Sequence, residues 1–290
     1  MSNILEVDGL RKVYAKSQFV LKDIDFSIPY GSIVGFIGEN GAGKTTTMGA
    51  ILGTLKKDRG AITIFGKKVD VTKPKIREDI GVVFDDMNFS SHLNVDQLAK
   101  VMKNIYQQWD NDKYNHYIQL FSLPKKQKIA GFSRGMSMKL SIAVALSHGA
   151  KLLILDEATA GLDPVARDDI LEVFIDFVKD KDHAIFLSSH ITSDIEKIAD
   201  ELIFIKNGEI ILKVNKDELL HNYAIVQCRS DTFHEINEDD VLAYITKDEM
   251  LNVLVSNKHG LPRGCQISDF TIDDITLLLM KGENNERTHS

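Results

Sequence analysis

The chain has 290 residues, 43% of them hydrophobic and 27% charged, and a formal charge of −7, enough for one large domain and a smaller one. The acidic balance and the lack of a long polybasic run argue against nucleic acid as a partner, and the lysines at 125, 126 and 128 read as a solvated face. No run approaches the roughly 20 apolar residues of a membrane span, and the N-terminus lacks a secretion signal, so a cytosolic chain with Cys228 and Cys265 as reduced thiols is expected.

In chain order, residues 4–7 and the alternating Ile24, Phe26 and Ile28 predict half-buried strands, and the apolar run 32–37 a buried one. A glycine-rich loop follows, then a helix over 45–55, strands at 61–65 and 80–84, and a helical stretch from 94 to about 122, punctuated near Asp110. Apolar runs at 152–155 and 184–187 predict two more buried strands, each followed by a helix. Asn207-Gly208 is the turn of a hairpin joining 202–206 to 209–214. This pattern is an α/β core with a helical insertion. After about residue 216 the runs shorten, as at 225–228 and 252–255, and end in a helix over 272–281, which predicts a small C-terminal domain. Residues 282–290 are polar and expected to fray.

The strongest chemical signal is Gly38-Glu39-Asn40-Gly41-Ala42-Gly43-Lys44-Thr45, a complete G-x-x-x-x-G-K-T loop between a strand and a helix. Its glycines let backbone N–H groups turn inward around phosphate oxygens at a helix N-terminus. Gly38, Asn40, Gly41, Gly43, Lys44, Thr45 and the following Thr46 therefore form the candidate nucleotide-binding set. Lys44 is expected to reach the β- and γ-phosphates, and the Thr45 hydroxyl to ligate Mg²⁺. Downstream, the apolar strand 152–155 ends in Asp156-Glu157. Such a strand end is commonly structural, and the phosphate loop upstream gives it weight. Asp156 is expected on the metal side and Glu157 as general base towards the attacking water.

The order of these motifs resembles that of the ABC ATPases over residues 5 to about 214. Phe132-Ser133-Arg134-Gly135-Met136 resembles the family signature, usually LSGGQ, with Ser133 and Gly135 kept, Arg134 at a glycine position and Met136 at a glutamine position. Ala160-Gly161-Leu162-Asp163 looks like the D-loop, His190 like the switch histidine at the γ-phosphate, and Tyr14 like the aromatic that stacks on adenine. Asp85 stands where the family usually has a metal-side glutamine, bringing a carboxylate towards the γ-phosphate in place of an amide donor.

The resemblance implies a P-loop NTPase core of ABC type in an α/β chain. An ATPase domain would span residues 1–215, with an antiparallel β subdomain and a helical subdomain at about 86–147, and a small α+β extension would span 216–290. It also implies ATP and Mg²⁺ as cofactors, a second ATPase subunit that closes over ATP, and a multispanning membrane permease subunit. The chain would then be peripheral on the inner face of the cell membrane. The signature form and the tail with Asp269-Phe270-Thr271-Ile272-Asp273-Asp274 look most like ATPases of bacterial drug and peptide exporters, among them the phenol-soluble-modulin exporters. A soluble relative acting on ribosomes or DNA is the rival reading, but neither a tandem cassette nor a long coiled coil is present. A small-molecule P-loop kinase would leave the signature, D-loop and switch histidine unexplained. A decayed ATPase would not keep Lys44, Asp156, Glu157 and His190.

Overall fold

The structure, a computed structural model, describes residues 2–14, 19–69, 78–84 and 89–284. β1 (Asn3–Val13), β2 (Val20–Pro29), β3 (Ile33–Ile37), α1 (Lys44–Ile51), β4 (Arg59–Ile64), β5 (Lys67–Lys68) and β6 (Ile80–Val83) form the N-terminal part. Helices α2 (Val95–Ile105), α3 (Asn111–Leu120) and α4 (Arg134–Leu146) follow. The core is completed by β7 (Leu152–Asp156), α5 (Pro164–Phe177), β8 (Ala184–Ser188), α6 (Thr192–Ile198), β9 (Glu201–Lys206) and β10 (Glu209–Asn215). The central sheet runs β10-β9-β3-β8-β7-β6, parallel except for β10. An antiparallel sheet β2-β1-β4-β5 covers one of its faces.

Period-2 alternation divides the central strands between two cores. Val34, Phe36, Leu152, Ile154, Phe186 and Ile203 join α1 and the antiparallel sheet, where Phe26, Phe36 and Phe186 pack with centroids 5.1 to 6.0 Å apart. Ile33, Leu153, Leu155, Ile185, Leu187 and Phe204 face the other way, into a cluster shared with α4, α5 and α6. Both faces of the parallel strands are covered, which is why they read as continuous apolar runs.

The punctuation near Asp110 is a true helix boundary. Asn94 caps α2 in a reciprocal capping box with Gln97, and Asp110 caps α3 through the N–H groups of Asp112 and Lys113. The first helix is shorter than the 45–55 expected, because Gly53 turns the chain at φ +67° just past Ile51. The hairpin at Asn207-Gly208 has both residues at positive φ, 51° and 79°, as a two-residue turn of this kind requires. The lysine cluster is engaged locally, Lys126 pairing with Asp96 at 2.8 Å and Lys125 bonding Asn115.

Beyond β10 lie α7 (Lys216–Asn222), β11 (Ala224–Arg229), α8 (Ser230–Phe233), β12 (Val241–Lys247), β13 (Met250–Val255), β14 (Gln266–Ser268), α9 (Ile272–Lys281) and β15 (Glu283–Asn284). The strands form an antiparallel sheet β14-β11-β13-β12-β15. Glu283 and Asn284, expected in a frayed tail, instead pair with Tyr244 and Ala243, while residues 285–290 lie outside the described residues. The amphipathic α9 buries Ile275, Leu278 and Leu279 in the same cluster as Ile195 and Ile198 of α6. Thr192 donates to Asp273, and Lys206 Nζ donates to the Leu279 carbonyl at 3.0 Å. The change in pattern near residue 216 is therefore no break in packing. Cys228 and Cys265 are free thiols, and burial pushes Cys228 up to about 11. Among the described residues no helix is long and apolar enough to cross a membrane.

Candidate active site

The candidate residues gather where the parallel strands end. The chain leaves β3 through the glycine-rich loop into α1, while β7 delivers Asp156 and Glu157 and β8 delivers Ser188 and His190, the edge at which open α/β sheets bind ligands. Gly43 is the N-cap of α1 at φ +117°, and a Cβ there would sit 2.6 Å from Leu21 and 3.0 Å from Phe19. Only glycine fits that backbone and that gap.

Lys44 is almost fully buried. Its ammonium donates to the carbonyls of Gly38 at 2.7 Å and Glu39 at 3.3 Å, and lies 3.8 Å from the Glu157 carboxylate. Burial lowers its pKa from the ordinary lysine value, with Glu157 and then Asp156 pulling it back up. Thr45 donates its hydroxyl to Asp156 Oδ2 at 2.7 Å, and Ser188 donates to Asp156 Oδ1 at 2.5 Å. Asp156 is buried, so these two donors satisfy a charge that would otherwise be costly to hold away from water.

Glu157 adopts a left-handed backbone at φ +55°, uncommon for a residue with a side chain, and its N–H donates to the Ser188 carbonyl at 3.1 Å. The turn aims its carboxylate at His190, whose backbone N–H donates to Glu157 Oε2 at 3.2 Å and whose Nδ1 contacts the same oxygen. Tyr14, at the end of β1, places its hydroxyl 3.4 Å from Thr46 Oγ1 and its ring 6.3 Å from that of Phe19, beside the start of α1. A cavity of about 530 Å³ lies against Gly38, Glu39, Asn40, Glu157 and His190.

Ser133 and Gly135 stand apart from that cluster, in a second depression of about 410 Å³ with Met136, Lys139 and Leu162. Ser133 is the N-cap of α4 and accepts the Met136 N–H at 3.2 Å. Asp163 caps α5 through the Ala166 N–H at 3.0 Å, which holds its carboxyl below the usual range. Asp85 lies outside the described residues.

Two contributors escaped the sequence reading. Ser188 matters because β7 and β8 pair in register, setting it beside Asp156, and a serine closing a buried strand next to an acid-bearing strand is the available signal. Arg167 donates to the Leu162 carbonyl at 3.4 Å and lies 3.7 Å from the buried Asp194 carboxylate, tying the 160–163 segment to the helix that follows His190. Nothing in the one-dimensional pattern signals that tie.

Comparison with known proteins gives the family. The family described as "ABC transporter" matches residues 21–160. The bacitracin transport ATP-binding protein BcrA of Bacillus licheniformis is 34% identical over 221 residues, covering 76% of this chain and 72% of that protein. The lantibiotic transport ATP-binding protein SrtF of Streptococcus pyogenes is 32% identical over 234 residues, covering 78% of this chain and 100% of that protein. A solved structure of the ATP-binding subunit of an ABC transporter superposes with a TM-score of 0.68 at 28% identity, over 75% of this chain and 92% of that one. A glycine-rich loop, an acid pair and a histidine brought to one sheet edge, in a chain with these relatives, make it a member of the ATP-binding ATPases of the ABC transporter family.

Proposed function

We propose that this chain powers an exporter of peptides or peptide-like antibiotics, closing with a second ATPase subunit over ATP on the inner face of the membrane while a multispanning permease subunit carries the cargo. The single observation that carries the ATPase part is the convergence of Lys44, Thr45, Asp156, Glu157 and His190 at one sheet edge. The bacitracin and lantibiotic transport proteins among its relatives support the cargo class.

The loop amides and the α1 N-terminus receive the phosphates, and Lys44, already held by two carbonyls, turns its charge to the terminal ones. The hard oxygens of Thr45 and Asp156, 2.7 Å apart, fit Mg²⁺, and the resemblance adds Asp85 as a further ligand. When bound, the ion would offset phosphate charge. Glu157 takes a proton from the attacking water, while His190 fixes the carboxylate and senses the terminal phosphate. Tyr14 stacks on the adenine. Ser133 accepts the cap N–H through one lone pair, so its O–H remains to donate to a phosphate held by the other subunit, and Gly135 lets that phosphate approach the α4 N-terminus. ATP binding then favours the closed pair and hydrolysis releases it.

Purification of the chain from its native membrane tests the reading. A co-purifying multispanning protein whose presence raises ATPase turnover supports it, and recovery with ribosomes or DNA instead would replace it with the soluble alternative.

A further inference from the structure

We propose that Cys228 and Cys265 form a reversible oxidation site, a dithiol that a low-molecular-weight disulfide converts into an internal bond stapling the edge strand β14 to β11. The site lies outside the nucleotide-binding residues and is set by strand register. β11 and β14 pair antiparallel, with Ile225 opposite Ser268, Val226 opposite Ile267 and Gln227 opposite Gln266. The next step of that register sets Cys228 opposite Cys265. Cys265 gives its backbone N–H to the Pro262 carbonyl at 3.4 Å rather than to β11, which marks a non-hydrogen-bonded pair, the type whose facing side chains stand closest.

Both sulfurs lie on one face of the sheet. Alternation along β11 sends Ala224, Val226 and Cys228 into a cluster with Leu251 and Val253, and Cys265 packs against that same cluster. Ile225 points the other way, into the cluster that holds α9. The two thiols are in hydrogen-bonding contact. Facing residues of an antiparallel pair have Cα atoms about 4.5–5.5 Å apart, inside the about 4.4–6.8 Å that a disulfide spans, so the bond can form without rebuilding the sheet.

The pair also has a division of labour. Burial pushes Cys228 up to about 11, and its contact with Cys265 pushes the same way; burial raises Cys265 too, but the same contact draws it back. Thiolates are therefore scarce near neutral pH, and the pair rests reduced. Cys228 is buried between Cys265 and its β13 neighbour Leu251, whereas Cys265 is partly exposed beside the edge strand. Cys265 thus attacks first. Its thiolate displaces one thiol from the small disulfide, leaving a mixed disulfide on Cys265. Cys228 then gives up its proton and attacks the Cys265 sulfur, expelling the second thiol. Two protein thiols are oxidised, one disulfide is reduced to two thiols, and the two cysteine protons end on those thiols. The new bond closes residues 229–264 into a loop and fixes β14 just before α9.

The test is incubation of the full chain with oxidised glutathione in mildly alkaline buffer, followed by intact mass and non-reducing peptide mapping. The parent should lose two hydrogens, retain no glutathione, link the Cys228 peptide to the Cys265 peptide, and regain both thiols with dithiothreitol. Cys228→Ala should instead stop at one glutathione on Cys265, and Cys265→Ala should stay unmodified; circular dichroism checks that both variants fold. The thermal midpoint of the oxidised parent should rise by about 5 °C, because the bond constrains the unfolded chain. A persistent glutathione adduct on the parent, links between chains, a bond that forms only in urea, unreacted thiols, or a lowered midpoint would each overturn the proposal.

Discussion

Replacing Glu157 with Gln isolates charge and basicity from shape. The carboxylate accepts the His190 N–H at 3.2 Å through Oε2, and an amide oxygen can keep that bond, so the side chain should stay in place. What disappears is the negative charge 3.8 Å from the Lys44 ammonium. At an effective dielectric near 20 that pair has a gross attraction of about 4 kcal/mol, much of it already offset by the desolvation of both groups. Lys44 keeps the Gly38 and Glu39 carbonyls, so fold stability should drop by only about 1 kcal/mol or less. Catalysis has no such reserve. An amide is a poor proton acceptor, and losing general-base help typically slows the chemical step by about 10²–10⁴-fold, or about 3–5 kcal/mol of barrier. Nucleotide binding should survive. With hydrolysis stalled, Mg-ATP should hold the variant as a dimer that runs smaller without nucleotide, and a further Ser133→Ala change should weaken that dimer. Urea unfolding, single-turnover hydrolysis and light scattering, with the permease partner added where the isolated chain stays monomeric, separate these effects. Parent-like turnover would remove Glu157 as the base. A mass indifferent to ATP with that partner present would remove the closing mechanism.

Lys44→Ala should reduce affinity for a fluorescent ATP analogue by at least about tenfold, since it deletes the buried charge facing the phosphates, and unchanged binding would dismiss the phosphate-loop assignment. The same variant has a pH signature without nucleotide. Burial holds the folded pKa of Lys44 below the ordinary 10.5, so the unfolded chain keeps this proton to higher pH and the stability penalty is fully present below the folded pKa. As pH rises through the folded pKa towards 10.5 the penalty is relieved, so the parent should gain stability relative to the variant in urea unfolding; parallel pH curves would contradict this. Asn94→Ala removes the acceptor of the Gln97 N–H at 2.9 Å and breaks the reciprocal box, so unfolding free energy should fall by about 1 kcal/mol with little change in nucleotide affinity.

Local chemistry made much of this architecture legible. Asn207-Gly208 announced its hairpin because left-handed backbone at two successive positions demands such residues, and the apolar runs at 152–155 and 184–187 announced strands covered on both faces. The phosphate loop was readable because its glycines, lysine and threonine are contiguous. Lys44, Asp156 and His190 are separated by long stretches of chain; the phosphate loop upstream gave Asp156 its metal-side reading, and only the resemblance to a family added His190. Ser188 and Arg167 stayed hidden because their roles depend on lateral neighbours, a strand in register for one and a helix crossing for the other. The tail at Glu283 and Asn284 was misread for the same reason, its polar residues giving no hint that the edge of β12 was there to receive them.

The seat of α9 ties the two ends of the molecule mechanically. Asp273 holds Thr192, two residues beyond His190, and Leu279 lends its carbonyl to Lys206 at the end of β9. With Ile275 and Leu278 sunk beside Ile195 and Ile198, the helix behaves as a splint laid along the segment that carries the histidine. A displacement of His190 that moves α6 must either slip against this splint or swing the five-stranded sheet with it. Severing the chain at Asn215 would free that segment but uncover its apolar side, so the C-terminal sheet cannot be treated as a detachable appendage.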